Sequence, residues 1–127
     1  MKELQKEATE IIFNKLLQVS QRKSLITYYE LNKYLPKMGS KNFLNPFQPL
    51  FNVLNDLNDW LSDEEKPLIT SLVINRKTGL PGKGFFFYAS KLGRYDQDLD
   101  DLSLRKEFWE QETKKVYEFK WILEERQ

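Results

Sequence analysis

Gly79, Gly82 and Gly84, with Lys83 between the last two, are three of the chain's five glycines and crowd into the stretch "INRKTGLPGKGFFFYAS". Glycines beside a lysine are the raw material of a phosphate-binding loop. That loop needs two glycines framing four residues, then Lys and Ser or Thr opening a helix, so that backbone amides and the helix dipole converge on the phosphates. Here Lys83 runs into Gly84 and "FFFY", which read as an aromatic strand, and no hydroxyl follows the lysine. The spacing therefore predicts a hairpin tip, in which the three glycines supply positive-φ conformations and Pro81 stiffens the turn. No nucleotide site is expected there.

The other reactive residue types are few. The chain has neither cysteine nor histidine, which excludes thiol nucleophiles and thiolate-bound zinc and removes the commonest general base and metal ligand. The acidic clusters "SDEEK" and "DQDLDD" offer carboxylates for a hard cation or a catalytic pair, but neither has the alternating ligands and closing Glu of a calcium loop. One suits a helix end, the other a helix start. Tyr28, Tyr29 and Tyr34 read as core with a wet rim. A non-enzymatic protein with no cofactor and no metal is the expectation.

What remains is cationic chemistry. Lys33, Lys37 and Lys41 flank a polar turn, and Arg76, Lys77, Lys83, Lys91 and Arg94 cluster around the predicted hairpin, so that eight cations on neighbouring elements are candidates for phosphate contacts. Residues 1–94 hold 14 Lys and Arg against 9 Asp and Glu, a net of +5, whereas residues 95–127 hold 6 against 10, a net of −4. The segment that would be the recognition helix, "PFQPLFNVLNDLNDWL", opposes this reading: it has no Lys or Arg and carries Asp56 and Asp59. Asn52, Asn55 and Asn58 on it have the amides to read adenine edges.

The elements that must position these residues follow from apolar periodicity. Leu4, Ala8, Ile11, Ile12, Leu16 and Val19 make one face of an amphipathic helix. Thr27 with Glu30 three residues later is a capping box, predicting a short helix from about 28 to 35 that Pro36 stops. A third helix opens at Asn45 and Pro46 and buries Leu50, Val53, Leu54, Leu57 and Leu61. "LITSLVIN" and "GFFFYAS" read as the two strands of a hairpin with a loose loop. A fourth helix, capped by Asp101 or Ser103, carries Leu104, Phe108, Trp109 and Val116 and turns irregular near "VYEFKW".

At 127 residues, 40% of them hydrophobic, the chain has room for one core. The expectation is a single domain over 1–127 with a helical extension from about residue 95. No apolar run approaches the roughly 20 residues that span a bilayer, and the opening "MKELQKEATE" is unlike a secretory or transit leader. A cytoplasmic protein without membrane contact is expected.

Ile26, Thr27, Tyr28, Glu30 and Leu31, followed by Pro67, Val73, Ile74, Asn75 and the glycine turn, resemble the DNA-binding domain of alkylguanine alkyltransferases and alkyltransferase-like proteins over roughly residues 24 to 86. That domain opens with a "V-T-Y-G-x-L/I-A" helix, runs through a helix-turn-helix and ends in a Pro-Cys-His-Arg or Pro-Trp-His-Arg stretch, "V-V-N" and a glycine turn. The sequence departs from the pattern where the family's chemistry lies. Leu68 and the residues after it replace the reactive Cys or Trp and the His-Arg pair, so alkyl transfer does not carry over, and the minor-groove arginine is missing. The glycine stretch is also similar to that of small bacterial and phage proteins. The resemblance implies an α+β, winged-helix-like fold: three N-terminal helices, a two-stranded hairpin as the wing, and a C-terminal helix packed alongside. It implies a non-enzymatic module that associates with duplex DNA. The alternative is a protein-interaction module, such as a phage or bacterial accessory or inhibitor protein, whose acidic 95–127 segment meets a basic partner surface.

Overall fold

The computed structural model describes residues 3–36 and 46–121, with side chains from residue 6 onward. Helix α1 (Glu3–Gln21) buries Ala8, Ile12, Phe13, Leu16, Leu17 and Val19. The apolar stripe is turned slightly from the predicted one, for Ile11 stands at the surface while Phe13 and Leu17 go inside; Leu4 lies outside the described side chains. Lys23, at φ 51°, reverses the chain after α1, and Ser24 N–H donates back to Val19 O at 3.0 Å. Strand β1 (Ile26–Thr27) leads directly into α2 (Tyr28–Asn32).

Thr27 caps α2 as its sequence predicts. Its hydroxyl accepts the Glu30 N–H at 3.1 Å, and the Glu30 carboxylate accepts the Thr27 N–H at 3.2 Å, so two amides left over at the helix start are satisfied reciprocally. Helix α3 (Gln48–Asp63) has Pro49 in its first turn, where no intrahelical donor is needed. Its buried stripe is the predicted one, Leu50, Val53, Leu54, Leu57 and Leu61, with Asn58 added.

The predicted hairpin is corrected. Residues 69–72 form a 3₁₀ turn, every residue of which is buried, in the middle of the core against α1, α3 and α5. Only Val73–Ile74 is extended (β2), and it pairs with β1 in parallel, Ile26 opposite Val73 and Thr27 opposite Ile74. "GFFFYAS" is not the second strand; it lies in helix α4 (Lys83–Lys91). The helix satisfies the aromatic residues better than a strand here, because Phe85, Phe86 and Ala89 then share one buried face. Gly82 is the N-cap, and Gly93, at φ 76°, reverses the chain so that Arg94 N–H reaches Ala89 O at 2.8 Å.

Helix α5 (Leu102–Glu118) starts at Asp101, whose carboxylate accepts the Leu104 N–H at 3.1 Å, and stays regular through Val116 and Tyr117. It docks by Phe108 against Phe85, Phe86 and Tyr95, and by Trp109, whose indole N–H donates to Ser71 O at 2.7 Å. The buried residues of α1, α3, the 3₁₀ turn, α4 and Val116 of α5 form one continuous cluster. The fold is thus mixed but mostly helical, with five α-helices and a two-stranded parallel sheet among the described residues. None of these helices is long and apolar enough to cross a membrane.

Candidate functional site

The stretch from Asn75 to Gly82 joins β2 to α4 and is tied by its own hydrogen bonds rather than loose. Asn75 N–H donates to Leu80 O, Gly79 N–H donates to Asn75 O, and Lys77 N–H donates to the Asn75 side chain, each at 2.8 Å. Only Gly79 needs the left-handed region, at φ 74°. Gly82 and Gly84 do not; they bracket Lys83 at the start of α4, where a helix N-terminus follows the glycine turn after all. Gly82 N–H donates to the Tyr28 hydroxyl at 2.9 Å, which locks the turn to α2. Burial pushes the Tyr28 phenol up, with that amide opposing, so it stays protonated in ordinary conditions. The N–H groups of Lys83 and Gly84 have no acceptor among the described residues, as first-turn amides do.

Lys83 and Gly84 line a cavity of about 670 Å³ between α3 and α4, a size typical of ligand pockets. Its walls are aromatic: Tyr28, Phe47 and Phe51 on one side, Phe85, Phe87 and Tyr88 on the other. Tyr28 and Phe51 meet edge to face, with centroids 5.7 Å apart. Phe87 is 56% exposed. Polar atoms interrupt the rings at Asn55, Asn75, and the buried pair Asn58 and Thr70, in which the Thr70 hydroxyl donates to the Asn58 carbonyl oxygen. Lys83 and Lys91 complete the lining. Tyr88 donates to Asp59 at 2.7 Å, and burial first, then that carboxylate, pushes its phenol up to about 12.

The predicted cations divide into groups. Lys83 and Lys91 line the cavity, Lys83 in an exposed ion pair with Asp100 at 2.6 Å and Lys91 with its ammonium 5.2 Å from the Tyr88 ring centre. Lys33, at the end of α2, lies over the Tyr29 ring at 4.7 Å. Lys33 and Arg76 both act on Glu30, whose carboxyl is held below the ordinary range chiefly by the Thr27 amide and hydroxyl. Lys77 is exposed in the 75–82 turn. Lys37, Lys41 and Asn45 lie outside the described residues.

Arg94 is tied into the protein itself. Its guanidinium donates to Lys66 O at 2.9 Å and pairs at 3.3 Å with Glu112, which is almost fully buried and also accepts the Leu68 N–H at 2.8 Å. These bonds give Arg94 a structural role that its sequence position did not suggest.

Sequence reasoning missed the cavity because it placed the 84–90 aromatics in a strand. One signal was present: Phe47, Phe51, Asn55 and Asn58 are spaced by four, four and three, a second face of α3 beside the leucine stripe. Of the three asparagines proposed to read bases, Asn55 and Asn58 line the cavity, whereas Asn52 accepts from Gln48 at the surface. The acidic clusters serve as helix ends, Asp101 as the cap of α5 and 62–65 at the close of α3.

No family model matches the chain, and neither a curated protein nor a solved structure matches it at a significant level.

Proposed function

We infer that this protein is a non-enzymatic nucleic-acid-binding module that takes one base of a strand into the cavity between α3 and α4. The observation that carries the reading is the lining of that cavity: flat aromatic faces, amides able to meet a base edge, and lysines beside two unpaired backbone amides where a phosphate would lie. Stacking on aromatic rings and hydrogen bonds to the exposed base edge are how proteins hold unpaired bases. The resemblance to the DNA-binding domain of alkyltransferase-like proteins agrees with this. The base contact replaces the wing that the sequence suggested, since residues 75–82 lead into a helix.

Fluorescence anisotropy tests the reading with single-stranded DNA, duplex DNA containing one unpaired base, and fully paired duplex. The single strand and the unpaired-base duplex should bind more tightly than the paired duplex. Phe87→Ala, at an exposed ring, should weaken the first two by about 5- to 150-fold, the effect of about 1–3 kcal/mol of stacking, with little change in thermal stability. Equal affinity for all three, or none, refutes it.

The second reading is a protein-interaction module. Exposed carboxylates at Asp96, Asp98, Glu107 and Glu110 favour it, as a face for a basic partner. An interaction in pull-down that survives nuclease treatment, but not Glu107→Lys/Glu110→Lys, would support it over the first.

A further inference from the structure

A second concavity, of about 410 Å³, lies between the end of α1 and α2 and is lined by Lys15, Arg22 and Lys33 together with Tyr34, Leu25 and Glu30. Three cations converge there, and none has an ion-pair partner among the described residues. Two are held in place by rings instead: the Lys15 ammonium is 4.5 Å from the centre of the Tyr34 ring, and Lys33 is 4.7 Å from that of Tyr29. Glu30, the one acid in the lining, already accepts from the Thr27 backbone and hydroxyl. The groove therefore has three cations against one carboxylate, an excess of positive charge beside aromatic platforms, with Tyr29 and Tyr34 both exposed.

Its position is informative. Helix α2 carries Tyr28 on the wall of the large cavity and, within the next five residues, Glu30 and Lys33 on the groove. The turn after β2 does the same, with Asn75 on the cavity and Arg76 near enough to act on Glu30. Both concavities thus draw lining residues from the segment 28–33.

We propose that the Lys15–Arg22–Lys33 groove is a second contact for the sugar–phosphate backbone of the strand whose base occupies the cavity. This rests on the base-binding reading above. Phosphodiester fits the site better than a lone small anion because the cations line an open trough beside stacking faces, not a closed cradle. The contact is indifferent to sequence and adds a salt-dependent share of the affinity.

Anisotropy titrations with a trinucleotide and with a single strand of about 12 nucleotides, each over a series of sodium chloride concentrations, test it on the full chain. Lys15→Gln/Arg22→Gln should weaken the longer strand and flatten its slope of log K against log salt by about 1.4, roughly 0.7 for each phosphate no longer neutralised on a single strand, while leaving the trinucleotide unchanged. Phe87→Ala should weaken both without altering the slope. If the double variant is unstable, Arg22→Gln alone, at an exposed position, should flatten the slope by about 0.7. An unchanged slope in the groove variants, with Phe87→Ala still impairing binding, overturns the groove and leaves the cavity reading standing. Loss of a poly-glutamate peptide in the groove variants, with the strand unaffected, overturns it in favour of an acidic protein segment. Failure of the intact protein to bind either strand overturns both.

Discussion

Replacing Arg94 by Met separates a structural cation from a phosphate ligand. The Arg94 side chain is one-quarter exposed, whereas the Glu112 side chain is 3% exposed, at the buried end of the pair. Met keeps much of the aliphatic stem but removes the donor to Lys66 O and the charge opposite Glu112. The carboxylate is then left with the Leu68 N–H at 2.8 Å as its remaining partner. Breaking a buried pair from one side costs about 3–5 kcal/mol. Solvent reaching the arginine side lowers this toward about 3 kcal/mol, since partly hydrated pairs are worth less. With a urea slope of about 1–3 kcal/mol per molar for a chain of this size, the midpoint should fall by at least about 1 M. Adding Glu112→Gln removes the stranded charge and keeps an oxygen for Leu68, so Arg94→Met/Glu112→Gln should be more stable than Arg94→Met alone. Urea titrations followed by tryptophan fluorescence measure both. An unchanged midpoint in Arg94→Met, or a double variant less stable than the single, refutes the assignment; an unchanged midpoint with weakened strand binding would return Arg94 to the phosphate contacts.

Other consequences follow from the packing and the titrating groups. Trp109→Ala removes a half-buried indole and its bond to Ser71 O; it should destabilise by about 3 kcal/mol, the low end for a large aromatic, and an unaffected urea midpoint would mean that α5 is not held by this contact. The Tyr88 phenol, pushed up to about 12 by burial and Asp59, favours the folded state while protonated. Its contribution is whole below the unfolded value of about 10 and is lost as pH rises from there toward 12. Tyr88→Phe should therefore show a shallower loss of stability between pH 9 and pH 11 than the parent chain, read from urea midpoints; parallel curves would contradict this.

Much of the chain was legible in its sequence. Thr27 and Glu30 announced α2 through a bond pattern that involves only neighbours, and the start of α5 was announced by two candidate caps, Asp101 and Ser103, of which the structure uses Asp101. The leucine spacing in 50–61 identified the buried face of α3, because a 3.6-residue period is a property of the helix alone. The candidate cations Lys33, Lys83 and Lys91 were also visible as charges. What they stood beside was not.

Tertiary structure decided the rest. The stretch "LITSLVIN" is rich in β-branched residues, and four of its residues nevertheless become a 3₁₀ turn, since enclosure by three helices outweighs local preference. "GFFFYAS" looks like a strand by composition, but Gly82 and Gly93 frame a helix-length segment whose Phe85, Phe86 and Ala89 fit one face. Burial of that face against Tyr95, beyond the helix end, and Phe108, 22 positions on in α5, selects the helix. Once α4 is a helix, its first turn brings Lys83 and Gly84 to the cavity that the aromatic residues of α3 also line. Arg94 shows the same limit in electrostatic form. Its charge is a property of the residue, but whether that charge faces solvent or Glu112 depends on a contact spanning 18 positions, and no local rule encodes it.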